Sequence, residues 1–243
     1  MRPATAEVFG ALAATWPAAE TNRHGPWLLP KGNGGGQRVS AASLHAEPST
    51  ADLSADGLDQ VEAALRRLGQ PPLFMIRSGD DRADQALAAR SYRRHDPVVI
   101  YAGPVGLLAV PAPEALQAIA LWPPLEIVRT IWAEGGIGPA RLAVMDRAEG
   151  AKTAILGRAG NRTGGVCFVA VHHAVAMAHA LEVRPPLRRQ GVAVKIIRKA
   201  AIWAQAQGAQ WLSVAVTEAN LPARHLYASL GMAIVEHYHY RQK

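Results

Sequence analysis

The sequence predicts an α/β (α+β) fold, a mixed and mostly antiparallel twisted sheet flanked by helices. Three observations lead there. Apolar residues recur at helical spacing and at alternating spacing in turn along the chain. Strand patterns at 153–156, 166–172 and 175–183 follow one another with no helix between them, as an antiparallel meander requires. Gly208 and Gly231 each stand just past a helical pattern, where a left-handed cap ends a helix. An apolar share of 49% with 19% charged residues over 243 residues excludes a disordered chain and provides for one large or two small cores.

The elements follow in order. Residues 4–16 carry a helical pattern. Residues 8–16 superficially look like a signal peptide, but Glu7 breaks the charge pattern and no small-residue cleavage site is well placed, so an amphipathic helix is expected. Short strands at 27–29 and 39–44 bracket Gly32-Asn33-Gly34-Gly35-Gly36, which reads as the turn of a hairpin. No Lys-Ser/Thr and no helix start follow this run, so the context of a phosphate cradle is missing. Helix 58–68, strand 73–77, helix 83–92 and strand 97–102 come next. Prolines at 104, 111, 113, 123 and 124 then mark a connection. Helices at 125–132 and 139–146 precede the meander. Helix 191–207, strand 212–216, helix 220–230 and strand 233–240 close the chain.

This last helix–strand–helix–strand order repeats that of residues 58–102, with Gly69 matching Gly208 and Leu73 matching Leu212. A duplication is expected, with halves 1–105 and 106–243. Charge divides the same way: residues 1–105 carry 11 basic and 11 acidic side chains, residues 106–243 carry 15 and 8. Within the basic half, Arg184, Arg188, Arg189, Lys195, Arg198 and Lys199 cluster with no acidic residue among them, marking a local anion site or a nucleic-acid patch. The uncharged stretch 163–181 is long enough for a membrane span, but its glycines, three histidines and β-branched residues read as two strands. Cys167 is the single cysteine, so no intramolecular disulfide and no thiolate zinc site can form, and a cytoplasmic setting is expected.

The segment from Leu181 to Ala193 runs from a strand end, through a basic turn, into a helix. The first N–H groups of a helix lack internal partners and carry partial positive charge, so such a start can collect a diphosphate. Gly191 lets a ligand approach the backbone there.

Arg188-x-x-Gly191-x-Ala193 after a strand resembles the signature of the GNAT superfamily of acyl-CoA-dependent N-acyltransferases. A second signature agrees: Asn220-Leu221-Pro222-Ala223-Arg224-His225-Leu226-Tyr227-Ala228-Ser229-Leu230-Gly231-Met232 is similar to the superfamily's Asn-x-x-Ala-x-x-Leu-Tyr-x-x-x-Gly-Phe, with Met232 in place of the aromatic. The resemblance covers residues 124–243. It implies acetyl-CoA as cosubstrate, with pantetheine paired to backbone groups around Leu181, Glu182 and Val183, and pyrophosphate on Arg188, Arg189, Gln190, Gly191, Val192 and Ala193. Asn220 joins this cofactor set. It also implies direct attack of an amine on the thioester in a ternary complex, Tyr227 as the general acid for the departing sulfur, and an oxyanion donor among the backbone N–H groups near Leu181. Members with a carboxylate base on this strand have it near the place of Met177, which this chain leaves without an acid.

Strand alternation puts Met177, His179, Leu181 and Val183 on one face and Ala178, Ala180 and Glu182 on the other. His179, titrating near neutrality, is therefore the candidate base. Glu182, turned away and paired with Arg184, is the runner-up, and His172, His173 and Tyr240 stay open. His237 and His239 have a spacing that can hold zinc, but no convincing third ligand accompanies them, so no metal is expected. The first half lacks an Arg-x-x-Gly-x-Ala turn and places Leu87 or Ala88 where Tyr227 would fall, so it is expected to be a degenerate half that binds no CoA. An acyl-CoA binder or sensor without turnover is the alternative function. The expected partners are an acyl-CoA and an amine acceptor, with neither specific nucleic acid nor membrane, and a homodimer is left open.

Overall fold

The structure, a computed structural model, describes residues 2–243. The element order is α1 (Thr5–Ala14), β1 (Glu20–His24), β2 (Trp27–Lys31), β3 (Ser43–Leu44), α2 (Ala55–Arg67), β4 (Leu73–Arg77), α3 (Asp81–Ala89) and β5 (Arg93–Pro104). It continues through α4 (Val105–Leu108), β6 (Ala118–Leu121), α5 (Glu126–Glu134), α6 (Pro139–Arg147), β7 (Lys152–Ala159), β8 (Arg162–His172) and β9 (Val175–Val183). The chain ends with α7 (Val192–Ala206), β10 (Trp211–Thr217), α8 (Leu221–Ser229) and β11 (Ala233–Gln242). β1, β2 and β3 form a small sheet, and the larger sheet has the order β4-β11-β5-β10-β9-β8-β7-β6. The meander β7-β8-β9 is antiparallel as expected. β1 and β6 are strands that periodicity did not announce: the first is polar throughout and the second lies in the proline-rich connection. Among the described residues no helix is long and apolar enough to cross a membrane.

The chain divides into two compact units, and the division differs from a single cut at 105. One unit holds residues 2–17, 100–216 and 220–236; the other holds 18–99, 217–219 and 237–243. The cause is exchange of chain ends: α1 joins the unit built on the second half, while the end of β11 pairs with β4, Tyr238 opposite Arg77 and Gln242 opposite Leu73.

In the first of these units, glycines let α7 lie directly on the sheet. A Cβ on Gly157 would stand 2.5 Å from Ile196 Cγ1, and one on Gly164 would stand 3.1 Å from Val192. The buried stripe Val192, Ile196, Ile197, Ala200, Ala201 and Ala204 fills that face. Phe168, on the opposite face of β8, packs edge-on against Trp16 just past α1. α1 is helical as expected, burying Val8, Phe9, Ala11 and Leu12.

The other unit is built around Trp27, Leu58, Leu65, Phe74, Leu87 and Tyr92. Phe74 sits edge-on to both Trp27 and Tyr92, with ring centroids 5.2 and 5.3 Å away. Ala42 N–H donates to Leu73 O, and Met75 N–H donates to Ala42 O, a parallel bridge at the edge of β4. His239, one half of the His-x-His pair, bonds Asp84 at 2.7 Å, and Arg241 grips both oxygens of the same carboxylate.

Glu62 is the charged centre of this unit. Arg66 donates to it at 2.7 Å, and Arg90 and Lys243 each donate at 3.1 Å. Burial pushes its carboxyl up, but the Tyr92 hydroxyl beside it and these three cations outweigh burial and hold it at about 2, against an ordinary 4.5. The folded-state value lies below the unfolded one, so this contribution is present above about pH 4.5 and is lost as pH falls toward 2. It amounts to about 3 kcal/mol in full. Glu62→Gln is therefore expected to cost about 3 kcal/mol at pH 7 and to flatten the acid limb of stability, as urea unfolding at pH 7 and pH 3 would show.

Candidate functional site

The site begins where two strands part. β9 and β10 run parallel, with Trp211 opposite Val175 and Val214 opposite Ala178, and the ladder ends there although both strands continue. What bends β9 away is a bulge. Ala180 has φ 52°, left-handed for a residue with a Cβ, and β8 pairs Phe168 with His179 but Val166 with Glu182. Two residues, Ala180 and Leu181, thus oppose the single Cys167. The indole N–H of Trp132, on α5, donates to Ala180 O at 2.9 Å and holds the bulge.

The bulge corrects the expected faces. Val166 and Phe168 are two apart on β8 and share a face, so their partners Glu182 and His179 share one too. Glu182 lies against the end of α5, where a Cβ on Gly135 would stand 2.5 Å from its Cγ. The expected Glu182–Arg184 pair is also replaced. Arg184 is clamped at 2.7 Å by both oxygens of Glu134, which ties the end of β9 to α5, while Glu182 pairs with Arg188 at 3.2 Å.

His179 is buried, its ring centroid 5.0 Å from that of Trp16, and its Nε2 lies 2.8 Å from Thr15 Oγ1. Thr15 spends its own proton on Ala11 O, so it accepts from His179, whose Nε2 carries the hydrogen. Base work from His179 would therefore fall to Nδ1 of a residue that is only 5% exposed. Met177 is fully buried. His172 packs on His173 at the hairpin turn, and burial, followed by His173, holds its value below that of a free imidazole. Tyr240 is buried against Tyr238, with its phenol value raised first by burial.

Beyond β9 the chain forms a loop suited to an anion. Arg189 and Gly191 both adopt left-handed backbone, φ 62° and 75°, with Gln190 between them. Gly191 is the N-cap of α7 and offers no side chain, so the first N–H groups of a 15-residue helix have no side-chain cap. A Cβ on Gly191 would meet no protein atom, so it is the positive φ that calls for glycine there. Arg188 folds back onto the strand end, its Nε donating to Val183 O at 3.0 Å. Val192 is buried against the sheet, beside Gly157 and Gly164.

α2, the matching helix of the other unit, starts differently. Ser54 Oγ accepts from Gly57 N–H at 3.1 Å, Asp56 stands in the first turn, and the carbonyls of Ala51 and Asp52 press on Gly57 so closely that a Cβ could not fit. That helix start is filled by its own chain.

Tyr227, on α8, is buried with its ring 5.8 Å from Tyr101, and its hydroxyl has no hydrogen-bond partner among the described residues. Burial, with the Cys167 thiol nearby, pushes its phenol well above the ordinary 10. Cys167 is itself buried and its thiol is raised by burial. Asn220 caps α8, its Oδ1 accepting from Ala223 N–H at 3.2 Å, so part of its signature role is structural. Trp132 and the bulge are the site features that sequence reasoning missed, since an alanine in left-handed backbone leaves no trace in composition or periodicity.

The model of the family described as "Acetyltransferase (GNAT) family" matches residues 126–232, from the start of α5 to just past α8. No curated protein matches the sequence. Solved structures share its fold. A GCN5-related N-acetyltransferase from Kribbella flavida is 15% identical with a TM-score of 0.71, covering 97% of this chain and 92% of that one. A functionally unknown conserved protein from Staphylococcus epidermidis is 7% identical with a TM-score of 0.70, covering 96% of both. A tandem GNAT protein from the clavulanic acid biosynthesis pathway is 14% identical with a TM-score of 0.62, covering 98% of this chain and 87% of that one.

Proposed function

We propose, from the match of residues 126–232 to the GNAT acetyltransferase family, that the chain moves an acetyl group from acetyl-CoA to an amine by direct attack in a ternary complex. The observation that carries this reading is the parting of β9 and β10 beyond Ala178 and Val214, directly before an uncapped helix start. A strand with free backbone groups suits the pantetheine arm, and the loop from Arg188 to Ala193 suits the pyrophosphate. Arg188 must leave Val183 O for the arm to pair there, which frees its guanidinium for the phosphates.

The chemistry needs three groups. The amine nitrogen bonds to the thioester carbon and charge develops on the oxygen, for which the bulge offers a backbone N–H. The carbon–sulfur bond then breaks and Tyr227, protonated throughout the physiological range, gives its proton to the sulfur. Glu182, partly exposed and turned by the bulge onto the face of α5, is better placed than His179 to relieve the amine of its proton, because His179 is buried. The single buried cysteine fits a cytoplasmic setting.

The first half is taken as a degenerate repeat that binds no CoA, because Ser54 and the carbonyls at 51–52 occupy the start of α2. Calorimetric titration with acetyl-CoA, with DNA as the control titrant, is expected to show one site per chain and no specific DNA binding. Arg188→Glu should weaken acetyl-CoA by at least about tenfold, or 1.4 kcal/mol. Two sites per chain would overturn the degenerate half, and no binding would overturn the function.

A further inference from the structure

The left-handed peptide in β9 is held from one side by a single donor. Arg184 N–H donates to Gly164 O at 2.9 Å, and an antiparallel ladder alternates bonded and unbonded pairs, which makes Val166–Glu182 a bonded pair. Leu181, next to the bonded Glu182, therefore turns its N–H away from β8, to the side where β10 has already parted. In a trans peptide the C=O and the following N–H point in opposite directions. With Ala180 O directed at the Trp132 indole, the N–H of Leu181 is directed away from α5.

We infer that Trp132 is a positioning residue for the oxyanion, fixing the Ala180–Leu181 peptide so that the Leu181 N–H meets the thioester oxygen. A left-handed alanine costs roughly 1–2 kcal/mol against ordinary strand backbone, so the peptide needs an external hold to stay turned. Trp132 is fully buried on α5 and reaches Ala180 O with good geometry, whereas no other side chain among the described residues bonds that carbonyl. Relaxation of the peptide would rotate carbonyl and N–H together, so the indole bond and the amide's aim rise or fall as one.

This inference rests on acetyl-CoA as the acyl donor. Its test needs no acceptor: isotope-edited infrared spectroscopy of acetyl-CoA labelled at the thioester carbonyl, bound to the full chain. The parent should lower the carbonyl stretch relative to free acetyl-CoA. Trp132→Phe, which keeps an aromatic ring but removes the donor, should hold affinity within about twofold and lose at least about half of that shift. A packing role alone would lower thermal stability and leave the stretch of the bound thioester unchanged. An unchanged shift in the variant, or no shift in the parent, overturns the inference while acyl-CoA binding stands. Absence of acetyl-CoA binding to the parent overturns the proposed function and this inference with it. If Trp132→Phe does not fold, replacing Trp132 by β-(3-benzothienyl)alanine, with sulfur in place of the N–H, reads out the same shift in a ring of the same shape.

Discussion

Tyr227→Phe is expected to lower kcat by about 100-fold or more while leaving acetyl-CoA affinity and thermal stability close to those of the parent. The ring that packs on Tyr101 is kept, and only the hydroxyl, which has no partner among the described residues, is lost. Removing a hydroxyl that bonds to nothing among the described residues does not disturb the fold, so a loss of turnover reports on the proton it would deliver. The pH profile adds a second check. Because burial raises the phenol above 10, the acid stays protonated at every pH below that value, and loss of the acid through ionisation sets in only above it. The parent should therefore show no falling limb below pH 10 that Tyr227→Phe removes. Turnover within about threefold of the parent, measured as thiol release with the best amine of a panel of polyamines, amino acids and antibiotic amines, would refute the assignment.

Gly191→Val should weaken acetyl-CoA by about 100-fold. The valine loses stability through its left-handed backbone, roughly 1–2 kcal/mol, and puts a branched side chain at the N-cap, next to the N–H groups that have no side-chain cap. Two charge-assisted hydrogen bonds to the pyrophosphate, at about 1.5 kcal/mol or more each, account for that factor. Gly208 supplies the control. It has φ 86°, also with open space where a Cβ would go, and follows α7 at the other end. Gly208→Val should lose similar stability and bind acetyl-CoA like the parent. Equal affinities in the two variants would mean that the helix start does not hold the ligand.

Much of the fold was legible because its causes are local. The strands at 73–77 and 175–183 stand at the predicted limits, and α7 and α8 end at Gly208 and Gly231 as expected. Each follows from the spacing of apolar side chains or from a backbone conformation that glycine adopts readily. β1 was missed because five polar residues form a strand only through the partner they pair with, residue by residue from Glu20 opposite Lys31 to His24 opposite Trp27. β6, apolar but set between prolines at 113 and 123, was missed because those prolines mark a connection, and it is its pairing with β7 that makes it a strand.

The site was legible in outline only. Sequence by itself determined the basic loop before α7, the glycine at its left-handed position and a tyrosine on the second helix, because these depend on neighbours within one turn of chain. Tertiary structure decided the rest. The bulge at Ala180 moves Glu182 to the face of His179, α1 commits His179 to Thr15, Glu134 takes Arg184 from the basic cluster, and Trp132 holds the Ala180 carbonyl. In each case the partner lies at least 48 residues away in sequence, or the effect passes through one extra residue in a strand, and alternation has period two. One inserted residue reverses every face that follows, so only the paired strand could say which way the side chains point.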